Sequence, residues 1–322
     1  MTHPDAYANH DERFAPLPPL ENLRRRDALM TSLRGWFHAN GFHEVETPIR
    51  IPFPAPEPNI DCPPSAGAWL RASPELQMKR LLAAGDDRIF QIGPCFRERE
   101  RGTRHNPEFT MLEWYRRGAS PLDILDDCSA LIRQAVRDLN GGMTLNYRGV
   151  SIDIGGEWSF LPVRDAFMRF AGWDPATEWD ADRFDVDLTT KVEPSLPSDR
   201  PVVLGEYPAP AASLARLKPD DPLVAERWEL YIGGMEIANA YGELADGAEQ
   251  RRRFEAAREE RAKLGEADYG GLDEGFLGDL ESGAFPQCGG IAVGIDRLAM
   301  LFCDATSIDE VRPFCPKIGL CW

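Results

Sequence analysis

The sequence predicts an α+β fold in one large domain, an antiparallel sheet flanked by helices, and three observations predict it. Residues 88–97 and 108–116 are strand-like runs joined by one charged loop, and 226–244 repeats the plan around Gly233-Gly234. Residues 21–40 place Leu29, Leu33, Trp36 and Phe37 at helical spacing, with Gly41 ending the pattern. Residues 289–302 run from a glycine-rich strand into an apolar helix. The expected sheet has about six or seven strands. The expected boundaries are a flexible arm over 1–20 and a single domain over 21–322.

Each element has its own reason. After the first helix, Phe42-His43-Glu44-Val45-Glu46-Thr47-Pro48 reads as extended, and Pro48 bars a central ladder position. A loop dense in proline follows, with Pro52, Pro54, Pro56 and Pro58. Ser73-Pro74-Glu75 opens a second helix, serine suiting the N-cap and proline the first helical position, and Gly85 sits past its end. Residues 121–138 and 251–264 read as helices, the second strongly charged. Residues 140–225 mix short apolar runs with acidic and proline-rich loops and carry no assignment.

Composition narrows the function classes. The 322 residues carry a formal net charge of -17, which argues against broad nucleic-acid binding because phosphate neutralisation needs a basic face. No run approaches the length of a membrane span, and the polar, proline-rich N-terminus has no secretory pattern, so a cytoplasmic protein is expected. Seven cysteines form no CxxC pair and five histidines do not cluster, which fits reduced thiols and no histidine-based metal centre.

The chemistry concentrates in four segments. Along 108–116, alternation puts Phe109, Met111, Glu113 and Tyr115 on one face, where a carboxylate between aromatics suits an amine. Taken alone, a half-buried strand with Glu113 at a solvated edge fits as well. The loop from Phe96-Arg97 to Arg104-His105 holds four arginines and a histidine, a candidate triphosphate clamp, although charge runs are usually solvated tips. Glu229, Glu236 and Glu243 offer hard oxygen ligands for Mg2+ on strand-like sequence. Gly289-Gly290-Ile291-Ala292-Val293-Gly294-Ile295-Asp296-Arg297 lets a ligand approach the backbone and matches neither the Rossmann nor the P-loop spacing.

Together these segments resemble class II aminoacyl-tRNA synthetases. Residues 41–48 look like motif 1, Phe96-Arg97 through Arg104-His105-Asn106-Pro107-Glu108-Phe109 like motif 2, and Gly294-Ile295-Asp296-Arg297-Leu298 like motif 3. His105-Asn106-Pro107-Glu108-Phe109-Thr110-Met111-Leu112-Glu113-Trp114-Tyr115 resembles the lysine branch of class IIb. The resemblance covers roughly residues 20–315 and thins across 140–225. It implies ATP and Mg2+ as cofactors. Arg97 would hold the α-phosphate and substrate carboxylate, and Arg97 and Arg297 would be the catalytic arginines. His105, Asn106, Arg99, Ile237 and Gly294 would contact ATP, and Phe109 and Arg297 would sandwich the adenine. Glu229 and Glu236 would hold Mg2+. Glu75 would bind the amine near the carboxylate, Glu113, Tyr115 and Glu243 the side-chain ammonium, and Ser73, Pro74, Asn239 and Ala292 would complete the substrate pocket.

One departure stands in motif 2. The family usually reads Phe-Arg-x-Glu, whereas Arg99 occupies the glutamate position here and Glu100 follows it. Forty residues precede Gly41, where lysyl-tRNA synthetases place an anticodon-binding domain. This resembles the free catalytic domains of the elongation factor P–lysine ligase family, which join lysine, preferentially (R)-β-lysine, to a lysine of elongation factor P. Ser73 and Ala292 stand where lysyl-tRNA synthetases usually have alanine and glycine, and agree with that family. The resemblance implies elongation factor P as acceptor, no stable tRNA binding and a homodimer built on motif 1. A truncated tRNA-charging enzyme and a non-catalytic regulatory paralogue remain the alternatives, the latter weakened by the retained Arg97 and Arg297.

Overall fold

In the computed structural model, residues 12–319 are described. The first helix, α1 (Leu20–Ala39), buries Leu29, Leu33 and Phe37, one residue per turn on a single face. The extended segment after it contributes only His43–Glu44 (β1) to a ladder. Short strands β2 (Arg50–Ile51), β3 (Pro64–Ser65) and β4 (Ala68–Leu70) form a small separate sheet beside the proline-dense loop. Helix α2 (Glu75–Ala83) begins just after Pro74, which occupies the N-cap rather than the first helical position. Ser73 still serves the helix start, because its Oγ accepts from the Glu75 amide at 2.9 Å.

Strands β5 (Arg88–Phe96) and β6 (Glu108–Arg117) pair antiparallel across nine residue pairs, from Arg88 opposite Arg116 to Phe96 opposite Glu108. Helix α3 (Pro121–Asn140) has a reciprocal Ser120–Asp123 capping box and ends at Gly141 with φ +70°, a left-handed turn that glycine adopts without a Cβ penalty. Residues 140–225 supply the hairpin β7 (Thr144–Tyr147) and β8 (Val150–Asp153), then β9 (Ser159–Pro162), α4 (Val163–Phe170), α5 (Ala181–Asp187), a π-helical turn at Leu188–Val192, and β10 (Val202–Gly205). They build a satellite core around Phe167, Trp173, Phe184 and Tyr207.

Strands β11 (Arg227–Ile232) and β12 (Met235–Gly242) meet at Gly233 and Gly234, both with positive φ. Helix α6 (Gly247–Leu264), capped by Asp246, starts earlier than its charge pattern suggests. Helix α7 (Glu274–Glu281), β13 (Cys288–Gly294) and α8 (Ile295–Cys303) complete the chain.

The main sheet has eight strands in the order β1-β5-β6-β13-β12-β11-β10-β9. The six strands from β5 to β10 pair antiparallel, as expected, but β1 and β9 add parallel edges. The sheet is therefore mixed and one strand larger than the expected upper count, because two short parallel strands extend its ends, β1 within the extended 42–48 segment and β9 within the unassigned 140–225. Its apolar face packs under α1, α3 and α8, where Phe37 stacks on Phe90 with centroids 4.3 Å apart beside fully buried Trp114. Removing each such side chain from water contributes about 1.5–3 kcal/mol. The opposite face is left for the cavity described below.

Of the expected N-terminal arm, residues 1–11 lie outside the described residues. The remainder is not a free arm. Phe14 bridges to Pro316, and the Ala15 amide donates to the Cys315 carbonyl at 2.8 Å. Phe14 also meets Phe314 edge-on at 5.9 Å. Cys62, Cys95, Cys128, Cys288, Cys303 and Cys315 are free thiols, and Cys321 lies outside the described residues. No described helix is long and apolar enough to cross a membrane.

Candidate active site

The cavity, about 380 Å³, lies on the open face of the sheet. Alternation along β6 sends Leu112 and Trp114 into the core and Phe109, Met111, Glu113 and Tyr115 to the cavity wall. Register then assembles two cross-strand rows. Glu113 faces Ala292, Ala292 faces Asn239, and Asn239 faces Glu229. One pair along, Tyr115 faces Gly290, Gly290 faces Tyr241, and Tyr241 faces Arg227. Gly290 is required by contact, since a Cβ there would lie 2.3 Å from both Glu243 Oε1 and the Tyr115 ring.

At the amine end, Ser73 Oγ donates to Glu113 Oε1 at 2.7 Å, and Tyr115 donates its hydroxyl to Glu113 Oε2 at 2.9 Å. Lys79, only 1% exposed, bridges Glu75 and Glu243, with Nζ 2.5 Å from Glu243 Oε2. Glu243 Oε1 is buried with no partner. Burial, with Glu75 nearby, pushes the Glu113 carboxyl up to about 7. Burial also raises Glu243, against the pull of Lys79 and with Glu75 and Glu113 adding to the rise. For Lys79 burial opposes the charge, but Glu243 and Glu75 outweigh it and hold the ammonium protonated. Three carboxylates facing one lysine form a pocket short of positive charge, and an incoming ammonium supplies it.

At the other end, Arg97 lies over the Phe109 ring, 5.2 Å from its centroid, with Nη1 3.5 Å from Glu100. Arg297 donates through Nη1 to the Glu236 carbonyl and to Glu236 Oε2, each at 3.0 Å, and its Nη2 meets His105 Nε2. In this state Arg97, not Arg297, faces Phe109. Burial, then Arg297, lowers the His105 pKa and keeps the ring neutral. Asn106 is buried and donates to the Glu108 carbonyl at 2.6 Å, leaving its Oδ1 without a partner.

Glu229 accepts from Arg227 at 2.7 Å and from the Tyr231 hydroxyl at 2.8 Å. Burial, then the Glu229 charge, raises Glu236. Two carboxylates that repel one another, each with an arginine, are relieved by a divalent cation. No group of three or more His, Cys, Asp or Glu side chains forms a metal cage among the described residues. The oxygen donors of Glu229 and Glu236 are of the hard type that a divalent cation such as Mg2+ takes.

The structure brings Ser73, Glu75, Arg97, His105, Asn106, Phe109, Glu113, Tyr115, Glu229, Glu236, Ile237, Asn239, Glu243, Ala292, Gly294 and Arg297 to one cavity. Two expected residues lie outside its wall. Arg99 takes φ +62° in a tight turn and points to solvent, so Glu100 lines the cavity in its place. Pro74 is buried at the start of α2. Residues the sequence reading missed are Glu57, Lys79, Ser213, Arg227 and Tyr241. Lys79 lies four residues after Glu75 on a helix and Arg227 two before Glu229 on a strand, spacings that mark a shared face. Glu57 and Ser213 sit on loops with no periodic signal.

Residues 19–318 match the family model of class II tRNA synthetases for aspartate, lysine and asparagine. The chain belongs to this class II tRNA synthetase family. Among its relatives is a lysine–tRNA ligase of Dehalococcoides mccartyi, 36% identical over 96% of this chain. This chain spans 66% of that protein, under two thirds of its length. Elongation factor P–(R)-β-lysine ligases of Haemophilus influenzae and Yersinia pestis are 36% and 37% identical over 94% of this chain and 97% of theirs.

Proposed function

We propose that this chain is an ATP-dependent ligase that activates lysine or (R)-β-lysine as an aminoacyl-adenylate and transfers it to a lysine side chain of elongation factor P. The observation that carries the reading is the polarity of the cavity. Arg97 stands at one end and three carboxylates at the other, Glu113 and Glu243 buried and Glu243 with an unpartnered oxygen. A diamino acid is the complement of that arrangement.

Arg97 binds the substrate carboxylate and the α-phosphate, and the carboxylate oxygen attacks phosphorus in line as pyrophosphate leaves. Positioning and charge neutralisation supply most of the catalysis. Glu229 and Glu236 would hold Mg2+, which neutralises phosphate charge when bound. Arg297, released from Glu236 and His105, is free to meet the adenine opposite Phe109. Glu113, Tyr115 and Glu243 receive the side-chain ammonium and Glu75 the amine nearer the carboxylate. An acceptor amine then attacks the activated carbonyl and AMP departs. No covalent enzyme intermediate enters this scheme.

Ser73 and Ala292 support the β-isomer. The Ser73 hydroxyl touches both Glu113 and the Glu75 amide, and the Ala292 methyl stands opposite Glu113 in the sheet register. A methylene-scale change in such a pocket is worth about 1–3 kcal/mol of discrimination. The lysine–tRNA ligase relatives favour a second reading with tRNA as acceptor. A homodimer built on α1 and β1 belongs to the proposal.

The test is ATP-dependent labelling of purified elongation factor P, with α-lysine and (R)-β-lysine in parallel and tRNA as competing acceptor. A mass increment on the protein supports the ligase reading. Aminoacylated tRNA without protein labelling replaces it, and no lysine-dependent pyrophosphate exchange removes the lysine assignment.

A further inference from the structure

Transfer to a lysine side chain raises a chemical demand that the residues discussed so far do not meet. The acceptor amine is protonated near neutral pH, and only its neutral form attacks a carbonyl. A base at the reacting end of the cavity has to take that proton.

Eight carboxylates line the cavity, and seven are committed. Glu75 and Glu243 hold Lys79, Glu100 faces Arg97, Glu113 takes two hydroxyls, Glu229 holds Arg227 and Glu236 holds Arg297. Asp296 pairs with Arg26 and accepts from the Thr110 amide. Glu57 differs: its carboxylate has one long hydrogen bond, from Ser213 Oγ at 3.3 Å, and no ion pair among the described residues. It is half-buried, whereas Glu113 and Glu243 are each 1% exposed, so it stands nearer solvent and an arriving chain.

The loop that presents it is preorganised. Pro56 and Pro58 flank Glu57, fixing φ on both sides and holding Glu57 itself in the extended region. Arg261, 3% exposed on its side chain, donates to the carbonyls of Glu57 and Ile60 at 2.8 Å each and to Asp61 at 2.8 Å. Tyr269 donates to the Ile60 carbonyl at 2.9 Å. The anchoring runs through backbone and Asp61 and leaves the Glu57 carboxylate free.

We propose that Glu57 is the general base of the transfer step, binding the incoming lysine ammonium of the acceptor and removing its proton. Its surroundings suit the task. Burial, then the Glu75 charge, raises the Glu57 pKa, opposed by Arg97, Arg227 and the Ser213 hydroxyl, with Tyr241 and Cys62 as the other titratable neighbours. A carboxylate raised above its usual range is a better base at neutral pH. One ammonium proton passes to Glu57 and the nitrogen lone pair forms the C–N bond. The carbonyl–phosphate C–O bond breaks, its electron pair leaves with AMP, and the second nitrogen proton goes to the departing phosphate. A carboxylate here also attracts a cationic acceptor and repels a phosphodiester.

The inference rests on the ligase reading, and its test separates the two. Purified enzyme carrying the lysyl-adenylate is mixed with elongation factor P, with Nα-acetyl-lysine, or with hydroxylamine, which is already neutral near pH 7. Labelling of elongation factor P by the unmutated enzyme reads the ligase assignment, and the two small amines read Glu57. In Glu57→Gln, transfer to Nα-acetyl-lysine should fall about a hundredfold or more and lose the acid limb of its pH profile. Hydroxamate formation and lysine-dependent pyrophosphate exchange should persist. Glutamine keeps the Ser213 contact, and an unchanged melting temperature excludes misfolding. Equal loss with both small amines, a raised KM for lysine in exchange, or unchanged transfer to Nα-acetyl-lysine would each overturn the proposal.

Discussion

Lysine binding should depend on pH through Glu113. The perturbation is a shift from pH 8 to pH 6 in the absence of ATP, where the amines of lysine stay protonated. Glu113 is raised from an ordinary 4.5 to about 7 by burial and Glu75, so it is mostly protonated at pH 6 and mostly ionised at pH 8. An ammonium binds the ionised form. The ionised fraction changes about tenfold across these two units, so the dissociation constant should weaken about tenfold. Isothermal titration in buffers of different ionisation enthalpy should also show proton release on binding near pH 7. Stability of the ligand-free protein moves the opposite way. The folded carboxyl holds its proton more tightly than the unfolded one, so this contribution is full below about 4.5 and is lost as pH rises through about 7. Its size is about 3 kcal/mol. Affinity that is flat, or that strengthens toward pH 6, would refute the reasoning, as would an unchanged pH dependence in Glu113→Gln.

Further outcomes follow from the same geometry. Gly290→Ala places a methyl 2.3 Å from Glu243 Oε1 and the Tyr115 ring, and lysine-dependent pyrophosphate exchange should fall at least a hundredfold while ATP binding, measured by a fluorescent analogue, persists. Lys79→Met leaves buried Glu243 and its neighbour Glu75 without their cation and should cost about 3–5 kcal/mol in urea melts at pH 8, less at pH 5, where the raised Glu243 carboxyl holds its proton. Ala292→Gly should move the ratio of kcat/KM for (R)-β-lysine over α-lysine toward the α-isomer by about tenfold or more in pyrophosphate exchange.

Local patterns were enough to find the central strands and one face of the site. β6 could be read because its alternation is strict and its two faces meet different surroundings, Trp114 the core and Glu113 the cavity. The hairpin of β11 and β12 could be read from Gly233-Gly234, and motif order located the arginines. Other features depend on contacts between distant segments. The extended reading of 42–48 does not show that only 43–44 pair, and nothing in 159–162 marks a sheet edge, because two to four paired residues hardly depart from loop composition. The Arg99 turn shows why a motif position does not fix a side chain: one left-handed residue exchanges which of two neighbours meets the cavity. Glu57 was hidden for a related reason, since its anchor, Arg261, lies 204 residues away.

The loop over 98–107, which carries His105, takes its shape from a distant part of the chain. Arg101 donates to Asp309 and to the Pro316 carbonyl, 208 and 215 residues later, and the Ile308 amide donates to the Thr103 carbonyl. The Arg13–Ala15 segment is paired with the same stretch. These contacts are long-range, so the loop lacks this fastening until residues 308–316 pack beside it.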